Sequence, residues 1–284
     1  MKKIHKVATS IAVAMLAVTT LASCSSSSDT GDGATTEDCT PRWEFPTISD
    51  GMLTVSINEL MPYFSENGGA PQGVDADFLK AFAADACLDI DWQVQPASSV
   101  IQAVASGRAD VAGGGWYATE ERGEIVGLSD PIYVELPTIA SADGTSDIED
   151  LRGKVVGTIS GYTWNEELAE IAGELKEYQS SDATLQDLQA GRIEYALVGG
   201  IDAPYIVDQT QALSEIKTEL MDPNPVISSS VEPQLPNICH TKGNDELTAA
   251  LNEKINEMHE NGDYAKIVET YGLDPRIVDV DQFA

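Results

Sequence analysis

Four cysteines carry the most reactive side chains in this 284-residue chain, and their positions call for different chemistry. Cys24 follows Leu21-Ala22-Ser23; upstream lie Lys2, Lys3 and Lys6, then an apolar run from Ile11 to Leu21 too short to span a bilayer as a mature helix. That is the layout of a secretory signal with a small-residue cleavage site, so residues 1–23 are expected to be a signal peptide. Outside the cytoplasm, two of the remaining thiols, Cys39, Cys87 and Cys239, would oxidise to a disulfide. Three pairings are open and each leaves one thiol over; Cys39–Cys87 is the expected one, pinning an N-terminal strap to the first helix.

Other constellations that could do chemistry are missing. No CxxC or Cys/His cluster suggests a metal, and His5, His240 and His259 do not form a ligand set. No nucleophile elbow is present. Gly113-Gly114-Gly115 has the wrong pattern for a dinucleotide fingerprint, and no phosphate-binding lysine follows it. No cofactor is called for.

Charge narrows the partners. The chain holds 16 Lys+Arg against 47 Asp+Glu, a net −31, and loss of the three signal lysines would deepen the excess. Nucleic acid is excluded as a partner, because phosphate recognition needs a basic face. The acidity reads as a heavily solvated surface. Ser25–Ser28, Asp29, Gly31, Gly33 and Thr35-Thr36 bury nothing, so residues 24–38 read as a flexible linker.

The elements that must position any site alternate. Leu53, Val55 and Ile57 have strand periodicity; Val74, Phe78, Ala81, Phe82 and Cys87 recur on one helical face. Ile90 to Val94 reads as a strand, Val100-Ile101 with Val104-Ala105 as a helix, and Ala109 to Ala112 as a strand closed by Gly113-Gly114-Gly115. This β-α-β-α-β order predicts a parallel, doubly wound sheet. A second unit repeats the theme: a strand Val155 to Ile159, the turn Ser160-Gly161, a helix to Ile171, a helix holding Leu185 and Leu188, a strand Tyr195 to Val198 and a helix from Pro204. Proline-marked passages at Asp130–Pro137 and Pro223–Pro236 join the units, and helices at Glu246–Met258 and Tyr264–Tyr271 would return to the first. Two lobes joined by two crossings make a hinge with a ligand cleft between them.

In this order the residues resemble extracellular solute-binding proteins of family 3, the polar amino acid class. The resemblance runs from about Gly51 to Leu273 and rests on Gly51-Met52-Leu53-Thr54-Val55, Gly73-Val74-Asp75-Ala76-Asp77-Phe78, Ser106-Gly107-Arg108-Ala109-Asp110, Thr119-Glu120-Glu121-Arg122, Leu128-Ser129-Asp130-Pro131-Ile132-Tyr133, Leu151-Arg152-Gly153-Lys154, Lys242-Gly243-Asn244-Asp245-Glu246-Leu247 and Asn261-Gly262-Asp263-Tyr264. It implies a periplasmic-binding-protein-like α/β fold of two doubly wound lobes: 39–133 the first lobe, 134–237 the second with the hinge crossings, and 238–284 the return. Leu21-Ala22-Ser23-Cys24 likewise matches the lipobox of bacterial lipoproteins, which implies lipidation of Cys24 and anchoring at the cell membrane from outside.

The resemblance further implies capture of a small carboxylate-bearing solute and its delivery, by a monomer, to the permease of an ATP-binding-cassette importer. Arg122 matches the family's carboxylate-binding arginine, whose guanidinium fork suits a bidentate carboxylate. Main chain near Gly115 and Tyr117 is expected to complete that pocket, with Tyr162 and Thr163 closing from the other lobe. Phe64, following Pro62, belongs to the same expected site. Departures from the family pattern stand beside these matches. The ammonium-binding aspartate falls on Gly199, with Asp202 three residues on; Met61 replaces a stacking aromatic and Asn58 an acidic residue; Trp116, Tyr117, Tyr162 and Trp164 crowd positions usually held by small hydroxyl residues. A pocket poorer in anions and richer in rings would suit a betaine, by cation–π attraction, or an aromatic amino acid. Two other classes stand as alternatives: an enzyme like cyclohexadienyl dehydratase, and a lipoprotein presenting its ligand to a sensor.

Overall fold

A computed structural model describes residues 39–66 and 70–282, all within one compact unit, Thr36–Ala284. The expectations for residues 1–23, the linker 24–38 and Cys24 lie outside the described residues. The first lobe opens with β1 (Met52–Ile57), α1 (Val74–Asp85), β2 (Asp89–Val94), α2 (Ala97–Ala105) and β3 (Val111–Tyr117), then α3 (Glu120–Ile125) and β4 (Gly127–Pro131). The second holds β5 (Pro137–Ser141), β6 (Val155–Ile159), α4 (Asn165–Ile171), β7 (Glu174–Tyr178), α5 (Ser181–Gln189), β8 (Tyr195–Gly199), α6 (Asp202–Gln209) and β9 (Lys217–Leu220). β10 (Pro236–His240), α7 (Asp245–Glu260) and α8 (Asp263–Thr270) return to the first lobe.

Each lobe has a five-stranded mixed sheet, ordered β2-β1-β3-β10-β4 and β7-β6-β8-β5-β9. The three strands of each βαβαβ unit are parallel, as predicted. Two strands outside those units make each sheet mixed: β10 runs antiparallel to β3 and β4, and β5 runs antiparallel to β8 and β9. β3 also runs on through Gly113-Gly114-Gly115, because its last residues, Trp116 and Tyr117, pair with Asn237 and Pro236 of β10.

β1 shows why the first sheet is rigid. Helices cover both faces, so Thr54 and Ser56 are buried along with Leu53, Val55 and Ile57. The buried polar groups are satisfied: Ser56 Oγ donates to the Val100 carbonyl at 3.0 Å, and Thr54 N–H donates to Asp110 Oδ2 at 2.8 Å. α1 packs Phe78, Leu79 and Phe82 into this core, and Phe82 stacks under Trp43 and Phe45 of the strap, each at 5.6 Å. The disulfide joins Cys39 to Cys87, with Cα atoms 5.8 Å apart. Cys239 is the remaining thiol among the described residues; burial pushes it up to about 12, which makes it unreactive.

The two crossings touch each other. Ile132, Tyr133 and Val134 of the outgoing crossing are fully buried. Glu135 N–H donates to the Gln234 carbonyl of the returning one at 2.9 Å. The hinge is therefore a paired strip, and Glu135 lies on it.

Candidate functional site

Gly199 closes β8, and three residues later Asp202 opens α6. A Cβ placed on Gly199 would lie 2.7 Å from Asp202 Oδ1, 3.1 Å from Glu135 Oε1 and 3.5 Å from the Tyr162 hydroxyl. Two carboxylates thus converge over a residue without a side chain. Ser181 Oγ, from the start of α5, donates to Asp202 Oδ2 at 2.5 Å, and the Tyr63 hydroxyl donates to Glu135 Oε2 at 3.3 Å. Burial and the neighbouring Asp202 push Glu135 up to about 8; burial also raises Asp202. The hydroxyls of Tyr63, Tyr117 and Tyr162 are raised by burial and by the two carboxylates, so all three stay protonated as donors.

Glu135 and Gly199 line a cavity of about 300 Å³ between the lobes, and Asp202 adjoins it through Gly199. Tyr117 comes from the first lobe, Tyr162, Thr163 and Trp164 from the second, and Glu135, Ser229 and Gln234 from the segments that connect them. Tyr162 and Trp164 meet edge to face at 4.5 Å, and Trp164 Nε1 donates to Thr158 Oγ1 at 3.1 Å, which fixes the buried indole against the second core. Gly161 takes a left-handed φ of 86° in the turn that presents Tyr162.

The structure divides the remaining sequence candidates. Arg122 and Trp116 face a different hollow, about 370 Å³, formed with Ala97, Gln102 and Thr119 of the first lobe. The guanidinium lies 5.1 Å from the Trp116 ring centroid and donates through Nη1 to the Tyr117 carbonyl. Tyr117 therefore stands between Arg122 and the inter-lobe cavity. Gly115 packs against Tyr63 and is tied to Asp75. Its Cβ would lie 2.8 Å from Tyr63 Cε1, and its N–H donates to Asp75 Oδ2 at 3.2 Å.

Phe64 is a correction: it is fully buried, 5.1 Å from Trp92 ring to ring, and belongs to the core. Met61 packs on the same core. Asn58 lies beside Gly114, and its buried Oδ1 has no hydrogen-bond partner among the described residues. The inter-lobe cavity is lined by one carboxylate, Glu135, that the sequence reading did not include. Its one signal was a single charge in the apolar run Ile132-Tyr133-Val134-Glu135-Leu136. Tyr63 was missed as well.

A two-lobed fold with an acid- and ring-lined cleft at a paired hinge defines a small-molecule trap. The model of the bacterial extracellular solute-binding proteins, family 3, matches residues 53–274, and the chain belongs to that family. It is 25% identical over 213 residues to the arginine-binding extracellular protein ArtP of Bacillus subtilis, spanning 72% of this chain and 80% of that protein. The histidine-binding periplasmic protein of Escherichia coli K12 is also 25% identical, over 74% of this chain and 83% of its own length. In fold, the unliganded open L-cystine solute receptor of Neisseria gonorrhoeae is similar at TM-score 0.69 and 20% identity, covering 81% of this chain and 97% of that one.

Proposed function

We propose that this protein captures an amino acid outside the cytoplasm and hands it to an ATP-binding-cassette importer, held at the membrane by a lipid on Cys24 and acting as a monomer. The observation that carries this reading is the inter-lobe cavity, where Tyr117, Tyr162 and Trp164 supply rings and Glu135 supplies acid. The volume, about 300 Å³, suits one amino acid and little more. A cation with N–H groups sits over Gly199, where Glu135 and Asp202 accept from it. A quaternary betaine has no such donors, so the acid pair favours an amine over the betaine that the rings alone would suit. Arg122 takes the ligand carboxylate, reaching past the Tyr117 carbonyl that it now holds. Closure about the paired crossings brings Tyr162 and Thr163 over the ligand, excludes water and strengthens each polar contact.

Thermal melting against a panel of amino acids, betaines and ectoine-like solutes tests this. A ligand at a thousandfold above its Kd adds roughly 4 kcal/mol, or about 8–16 °C in a protein of this size. A shift with amino acids is the expected result. A shift confined to betaines would overturn the role given to the acid pair, and no shift with any solute would overturn the capture reading.

A further inference from the structure

The carboxylates over Gly199 form an unusual electrostatic arrangement. Asp202 Oδ1 and Glu135 Oε1 both come within 3.1 Å of one point, so they lie inside the ~6 Å over which one charge governs another's ionisation. Every element packed around them adds acid or neutral donors. Tyr63 follows β1, Tyr117 ends β3, Tyr162 follows β6, Ser181 opens α5, and Asp182 beside it adds more negative potential. The outgoing crossing carries Glu135 itself and the returning one only Gln234, while Asp75 acts on Tyr63 from behind. Among the described residues, no lysine, arginine or histidine forms an ion pair with either carboxylate; Arg122 acts on Tyr117 and Cys239. Two carboxylates this close in a half-buried cleft disfavour each other's ionisation, so one of them holds its proton to higher pH.

Resting on the proposed capture of an amine, we infer that Glu135 and Asp202 share one proton in the empty cleft and that the ligand's cationic group replaces it. On entry of the ligand, the carboxyl O–H bond breaks, the proton passes to solvent, and both carboxylates accept from ligand N–H groups. Binding thus exchanges one positive charge for another at a fixed point, and net charge in the cleft hardly changes. Glu135, burial-shifted to about 8, is the group on which that proton rests near neutrality. Affinity should therefore rise about tenfold per pH unit between roughly pH 5 and pH 7.

Two measurements test the exchange. Calorimetric binding of L-arginine, L-lysine, L-glutamine and glycine betaine, each in phosphate and in Tris near neutrality, reads the proton balance. About one proton released per amino acid bound, abolished in Glu135→Gln and in Asp202→Asn, is expected. Tight binding with no proton release overturns the exchange. Carbon-13 NMR of the glutamate carboxyls in the unliganded protein, assigned through Glu135→Gln, needs no ligand. Glu135 titrating well above the other glutamates supports the shared proton, and an ordinary titration overturns it even if no probe binds. A high Glu135 titration in a protein that binds none of the probes leaves the pair standing and overturns the capture reading instead.

Discussion

The ring of Tyr63 is packed directly against Gly115. A methyl group on that glycine would sit 2.8 Å from ring atom Cε1, and the same tyrosine donates its hydroxyl to Glu135 at 3.3 Å. The backbone of β3, the ring and the hinge acid are thus in series. Gly115 also holds a left-handed φ of 70°, which an alanine would occupy only under strain. Gly115→Ala is expected to cost about 1–3 kcal/mol of stability and to weaken ligand binding by displacing Tyr63 from Glu135. Chemical denaturation and titration of the same variant check both effects together.

Glu135 makes the stability of the unliganded protein depend on pH. Folding raises its carboxyl from 4.5 to about 8, so the folded state keeps a proton that the unfolded chain releases. The resulting stabilisation is complete below about pH 4.5 and is lost as pH climbs through about 8. Allowing for partial exposure, the loss amounts to something on the order of 3 kcal/mol. Glu135→Gln removes a charge that costs stability at high pH, so it should melt above the parent protein at pH 9 and near it at pH 4. Parallel melting curves across that range would contradict the assignment.

Arg122 is held by packing on Trp116 and by the Tyr117 carbonyl, and it lies outside the main cores. Arg122→Ala should leave stability within about 1 kcal/mol of the parent protein. Loss of a charge-assisted pair with the ligand carboxylate should weaken binding by roughly 10- to 150-fold. Undiminished affinity would remove Arg122 from the site.

The Cys39–Cys87 bridge spans 48 positions. A loop of that size predicts that opening it costs roughly 2–4 kcal/mol. The strap has other grips: Arg42 on Glu253 at 2.7 Å, Trp43 Nε1 on Glu253 at 3.0 Å, and two rings stacked on Phe82. Cys39→Ser/Cys87→Ser is therefore expected to fold, to melt lower, and to bind ligand with unchanged affinity, because no residue of the strap lines the cleft.

Where apolar periodicity was strong, the elements were legible. The strand from Val155 to Ile159 has the predicted bounds, and α1 and α7 fall where one helical face repeats. β7, Glu-Leu-Lys-Glu-Tyr, escaped notice because it is a sheet edge with largely solvated side chains. β5 and β10, which begin where the proline-marked passages end, went unread, since antiparallel pairing partners far away in sequence leave no local mark. The site divided along the same line. Tyr162 and Trp164 stand out as rings beside a glycine turn. Glu135 gains its meaning from Asp202 and Gly199, more than sixty residues away, and from burial that a single charge in a linker does not disclose.

Glu135 sits on the strip where the two connecting segments are hydrogen-bonded to one another. In any rotation of one body against another, points near the axis travel least. The acid is therefore a nearly stationary post, while the tyrosine walls on either side sweep through an arc. A solute that first lodges its amine on that post keeps the contact through the whole swing, and only its outer end must wait for the far wall to arrive.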